Sequence, residues 1–186
     1  MRGIERWFGA AGLALTVLLP LAAQANDAFL RAVAIPASAC HPDNEQNSAV
    51  GTSKLLADGA FAQGGTGTVT MGLGCPLPAS SVKLSGSGPK AMSKFRVYYS
   101  DSDGFAGGGL IELTLYKMRL QDNPNGDPKV VCVWDSNRFG NLNKGTAQMK
   151  TFPCSFNLEP ATLYYFRIHL QAGPGQRVRF IGLDFP

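Results

Sequence analysis

The chain has 186 residues, 45% of them apolar and 16% charged, with 17 Lys+Arg against 13 Asp+Glu. That apolar share suffices for a packed core and excludes a disordered chain or a polyelectrolyte, while the length suits one domain. With a single apolar run near a bilayer thickness, a multi-span membrane protein is excluded as well.

That run comes first. Arg2 and Arg6 precede an apolar stretch from Trp7 to Ala23, with Pro20 near its end and Ala23-Gln24-Ala25 as a small-x-small pattern. The order predicts a secretory signal peptide over 1–25. The competing expectation, a membrane anchor, is opposed by Gly9, Gly12, Thr16 and Pro20 inside the run and by the lack of a basic cluster after it. A lipoprotein would need a cysteine at the cleavage point, and the first is Cys40. A single domain is then expected over 26–186. Losing Arg2, Arg6 and Glu5 leaves 17 − 2 = 15 basic and 13 − 1 = 12 acidic groups, a formal charge of +3. No aromatic-basic motif or concentrated basic stretch marks a nucleic-acid partner, and no stable membrane insertion is expected once the leader is removed.

After residue 26 the apolar pattern has period two. Val69, Met71 and Leu73 alternate with Thr70 and Gly72. Phe95, Val97 and Tyr99 alternate with Arg96 and Tyr98. Ile111, Leu113 and Leu115 follow the same rule, Val130 to Trp134 form a β-branched run, and Tyr164, Phe166, Ile168 and Leu170 alternate with Tyr165, Arg167 and His169. Val178 and Phe180 alternate with Arg177 and Arg179. Each run therefore has an inner and an outer side. Ser53 to Ala62 is expected to hold one helical turn at most. Gly-, Asn-, Asp- and Pro-rich clusters separate the runs. Seven or eight such strands predict an all-β fold: an antiparallel β-sandwich, jelly-roll or immunoglobulin-like.

The four cysteines, Cys40, Cys75, Cys132 and Cys154, all follow the leader, and their even number in an exported chain predicts two disulfides. Three pairings exist; Cys40–Cys75 and Cys132–Cys154 are favoured because each closes a local loop. A metal site is the rival, but no C-x-x-C spacing occurs. Ala39-Cys40-His41-Pro42, followed by Gly74-Cys75-Pro76-Leu77-Pro78, resembles the A-C-x-P … C-P-L-P signature of small secreted bacterial proteins without an assigned chemistry. The resemblance implies export, a β-sandwich and a disulfide across the first two cysteines, and carries over no catalytic residue.

Residues able to carry chemistry are few. His41 and His169 are the only imidazoles, and no Gly-x-Ser-x-Gly elbow accompanies them, so no catalytic residue is assigned. Calcium is the one cofactor the loops could take: Asp101, Asp103 and Gly104 make half of a D-x-D-G loop, and Asp122, Asn125 and Asp127 offer oxygens around Gly126, with the second loop ahead. If Tyr164–Leu170 and Arg177–Phe180 pair as a hairpin, Arg167, His169, Arg177 and Arg179 point outward together beside Tyr165. Such a face would suit an anionic glycan or an acidic protein partner. Tyr98, Tyr116 and Tyr165 are placed on outer faces, and Trp134 is expected against the Cys132 disulfide, with an outer face as its alternative. The leading expectation is a secreted, non-enzymatic β-sandwich that binds an envelope or extracellular glycan or a protein. The alternatives are a polysaccharide hydrolase using paired carboxylates and a pilin-like or coat-like assembly subunit.

Overall fold

The computed structural model describes residues 34–77, 91–104, 107–119, 127–139, 145–159 and 161–185. Its strands are β1 (Ala34–Pro36), β2 (His41–Pro42), β3 (Asn47–Ser48), β4 (Gly51–Leu56), β5 (Gly59–Gly64), β6 (Val69–Pro76), β7 (Ala91–Asp101), β8 (Gly109–Arg119), β9 (Lys129–Asp135), β10 (Gln148–Asn157), β11 (Thr162–Ala172) and β12 (Arg177–Asp184). One short helix, Ser136–Phe139, follows β9.

The strands pair antiparallel into two sheets. The larger runs β10-β7-β12-β5-β4-β3, with β1 added along β12; the smaller runs β2-β6-β11-β8-β9. The expected antiparallel β-sandwich is therefore the fold. Inner residues follow the period of two: Val69, Met71, Leu73 and Cys75 on β6, and Tyr164, Phe166, Ile168 and Leu170 on β11, are buried. They face Phe95, Val97 and Tyr99 of β7 and Val178 and Phe180 of β12. Phe95 joins the layers, edge-on to Phe166 of the facing sheet and to Phe152 of its own, each with ring centroids 5.1 Å apart. Both expected disulfides form, Cys40–Cys75 and Cys132–Cys154, and no described cysteine is free.

Three expectations need correction. Ser53 to Ala62 holds no helical turn; it is the β4–β5 hairpin, turning at Ala57-Asp58. Its alternation is blurred because Ala60 and Ala62 bury small side chains between glycines. The outward alternative for Trp134 fails: it is fully buried, because a bulge at Val131 shifts the phase of β9 and sets Trp134 opposite the inner Leu113. Its ring packs edge-on against Tyr99 at 5.2 Å.

The third correction concerns β11 and β12, which do not form a hairpin. Both sides of β11 are occupied, by β6 and β8, and β12 lies in the other sheet between β7 and β5. The connection Gly173-Pro174-Gly175-Gln176 crosses the end of the sandwich. It is held there by Gly173 N–H donating to Gly108 O at 2.6 Å and Gly175 N–H donating to Gly64 O at 3.1 Å. Gly175 takes φ +70°, a left-handed turn that favours glycine. The crossing lets the apolar faces of both strands meet across the core instead of widening one sheet.

Candidate binding face and edge cleft

The crossing splits the expected basic face. Arg167, His169 and Tyr165 lie on the outer face of the five-stranded sheet, whereas Arg177 and Arg179 lie on the opposite outer face, so they form no common patch. Arg177 rests over the Phe61 ring at 5.2 Å, and Arg179 binds the Asp58 carboxylate at 2.6 Å and its carbonyl. Beside them Arg96 holds Asp184 through two nitrogens at 2.7 and 2.6 Å, with the Tyr98 hydroxyl donating at 3.0 Å. These arginines serve the sheet itself, and their partners Asp58 and Asp184 were not visible from the local pattern.

Of the calcium set, Asp122 and Asn125 lie outside the described residues. Asp127 is exposed ahead of β9. Among the described residues, no group of three or more His, Cys, Asp or Glu converges. The other acidic loop is closed off: Asp101 and Asp103 are 1% and 7% exposed. Asp101 accepts from the Ser136 hydroxyl at 2.8 Å, and Asp103 from Gly109 N–H at 2.7 Å. A carboxyl pair so buried is not open to a polymer, as a glycosidase pair must be.

The outer face of the five-stranded sheet can be mapped by register, since directly opposed residues share a face. One row reads Pro76–Tyr165–Tyr116–Val130, the next His41–Gly74–Arg167–Thr114–Val133, and the third Gly72–His169–Glu112–Asp135. Tyr116 and Tyr165 stack with centroids 5.3 Å apart and ring planes 17° apart. Burial, then the Tyr116 phenol, raises Tyr165 above the usual tyrosine range, while Arg167 opposes the shift. Gly72 and Gly74 leave β6 bare here. A side-chain carbon on Gly72 would meet Asp43 Oδ2 at 2.8 Å, while one on Gly74 would meet nothing nearer than 3.9 Å. Asp43 therefore lies across Gly72, and its Oδ2 stands 3.9 Å from Arg167 Nε. Asp135 accepts from Arg138 N–H at 2.7 Å, capping the short helix. Among the described residues of these rows Arg167 is the one permanent cation, beside Asp43, Glu112 and Asp135, so this face is mixed and polar.

At the edge where β9 and β10 come together, a cleft of about 320 Å³ is lined by Lys117, Val130, Val131, Phe156, Asn157, Glu159 and Tyr164. The Cys132–Cys154 disulfide ties the two strands. Phe156 tilts against Tyr164 at 5.3 Å, and the Tyr164 hydroxyl accepts from Glu159 N–H at 3.0 Å while donating to Asn157 O at 3.1 Å. Lys117, and then Arg119, hold the Glu159 carboxyl below the usual carboxylate range. The sequence analysis missed this cleft. Its one local signal is Lys117-Met118-Arg119 closing one strand and Lys129 opening the next.

No family model matches the chain, and no curated protein matches it. Among solved structures the chain is similar to TmCBM61 in complex with beta-1,4-galactotriose, at 6% identity over 80% of this chain and 88% of that one, with a TM-score of 0.43. It is also similar to the C-terminal CBM6 of LamC, a marine laminarinase from Zobellia galactanivorans, at 12% identity over 82% and 98% with a TM-score of 0.37. A third is the xylan-binding module CBM15, at 12% identity over 81% and 94% with a TM-score of 0.39. Likenesses this loose carry no argument about a ligand, which rests on the residues of this chain.

Proposed function

We propose that the protein is a non-catalytic glycan-binding module whose contact surface is the outer face of the five-stranded sheet. The observation that carries this reading is the stacked Tyr116–Tyr165 pair, set directly across two strands at 5.3 Å. Aromatic rings bury the apolar C–H face of a sugar, and polar groups around them satisfy its hydroxyls. Arg167, Glu112 and His169 supply donors and acceptors in the adjoining rows. Gly74 puts no side chain on this face, and a carbon placed there would meet nothing nearer than 3.9 Å.

The two disulfides support action in an oxidising compartment outside the cytoplasm, as does the predicted leader. No helix among the described residues is long and apolar enough to cross a membrane.

Affinity electrophoresis against a panel of soluble polysaccharides tests the reading. Retardation by at least one polymer is expected, with loss in Tyr116→Ala/Tyr165→Ala and none in Arg177→Ala on the opposite face. Equal retardation of the native protein and the tyrosine variant, with both folded by circular dichroism, overturns it.

A further inference from the structure

Lys117 and Lys129 stand directly opposite each other in the β8–β9 register. Opposed residues leave the same face, and like charges placed so are unfavourable unless an anion joins them. Arg119 follows two residues after Lys117 on that side. Against these three cations stands Glu159, whose oxygens are already taken by Lys117 at 2.6 Å and Arg119 at 3.1 Å. Asp127 is exposed two residues before Lys129. Lys129 makes no ion pair with a described residue.

Below this rim the walls are apolar and fixed in place. Val130 and Val131 form one side, and Phe156 against Tyr164 the other. The Tyr164 hydroxyl pins the backbone at Asn157 and Glu159. A volume of about 320 Å³ falls in the range of small-ligand pockets, about 300–1,000 Å³. An apolar wall beside two opposed lysines, one of them in no ion pair with a described residue, suits a ring that carries an anionic substituent.

We propose that this cleft takes an acidic sugar, one bearing a carboxylate or a sulfate ester, with the ring against Phe156 and the valines and the anion against Lys117 and Lys129. The proposal rests on the glycan reading above. Val130, 56% exposed, lines the cleft and also ends the row Pro76–Tyr165–Tyr116–Val130. Lys117 and Lys129 leave the other face of these strands, so a chain lying along the tyrosines reaches them by turning over the β9 edge at Val130.

The test is binding of the oxidised protein at low salt to polygalacturonate, dextran sulfate and neutral dextran, repeated with Lys117→Met/Lys129→Gln and with Tyr116→Ala. At least one acidic polymer is expected to bind about tenfold tighter than dextran, equivalent to about 1.4 kcal/mol, and the two acidic arms tell carboxylate from sulfate. The lysine variant loses this preference, whereas Tyr116→Ala weakens every bound polymer and keeps the preference. The single variant Lys129→Gln, at an exposed site, reads the same loss if the double variant does not fold. Equal binding of acidic and neutral polymers, or a preference untouched in both lysine variants, overturns the acidic-sugar assignment while leaving the glycan reading standing. No binding to these three polymers, nor to any member of the wider panel, overturns both.

Discussion

Asp101 and Asp103 bury their carboxyl groups against one glycine: a side-chain carbon on Gly109 would lie 2.7 Å from Oδ1 of the first and 3.0 Å from Oδ1 of the second. No cation faces the pair among the described residues. Asp101 is met by the Ser136 hydroxyl and Asp103 N–H, Asp103 by Gly109 N–H, and Tyr99 on the same inner face adds only a phenol, pushed up to about 12 by burial and by the Asp101 charge.

That arrangement predicts an unusual pH profile. Burial, then the hydrogen bond with Asp103, pushes the Asp101 carboxyl up to about 6. A carboxyl raised above its unfolded value stabilises the fold fully below that unfolded value, and the contribution is lost as pH rises through about 6. The loss is on the order of 2–3 kcal/mol. Thermal melts should therefore give a higher Tm at pH 5 than at pH 8, and Asp101→Asn should flatten the difference. A native profile that climbs toward pH 8 would contradict the pairing.

The crossing from β11 to β12 makes its own demand on glycine. A side-chain carbon at Gly64 would stand 2.0 Å from Gly173 O and 2.8 Å from Ala172 O, both backbone. Gly64→Ala is expected to destabilise by about 2–3 kcal/mol, because the loop has to move. Gly74→Ala, with nothing nearer than 3.9 Å, should change stability by less than about 0.5 kcal/mol. Urea melts of the two variants measure the contrast.

Removing Cys132–Cys154 opens a loop with a sequence separation of 22, and removing Cys40–Cys75 one of 35. Loop-closure entropy gives a loss of about 3–4 kcal/mol for each. Only the first pair ties β9 to β10 at the cleft. The Cys132→Ala/Cys154→Ala variant should thus lose acidic-polymer binding at temperatures where it is still folded, and the Cys40→Ala/Cys75→Ala variant should keep it.

Phe166 is fully buried, 5.1 Å from Phe95 and 6.3 Å from Phe185. Phe166→Ala takes away one aromatic contact between the two sheets and leaves a cavity, at a cost of about 3–5 kcal/mol. Calorimetry against Phe166→Leu, which refills much of the space, should show most of that stability restored.

Strand after strand was legible in the local pattern, because period-two alternation is written into neighbouring residues: Val69 to Cys75, Phe95 to Tyr99 and Tyr164 to Leu170 bury the faces their spacing predicts. Both disulfides were legible too, since each joins cysteines close along the chain. The tyrosine pair was half legible. Tyr116 and Tyr165 were placed on outer faces, but their stacking depends on β8 and β11 being neighbours, which no local spacing encodes.

The arginines mark where local information ends. Arg167 and Arg177 lie close in sequence, yet stand on opposite faces, and the partners of Arg96 and Arg179 come from 88 and 121 residues away. Alternation determines which side chains of a strand share a face, so the sequence alone set the strand faces and most of the core, and favoured the sulfur links that form. It does not determine which sheet a strand joins. That choice belongs to the tertiary structure, because a strand pairs through backbone groups common to every residue, and only packing of whole apolar faces selects the neighbour. The Tyr116–Tyr165 stack, the sealed Asp101–Asp103 pair and the lysine-rimmed cleft all follow from that selection.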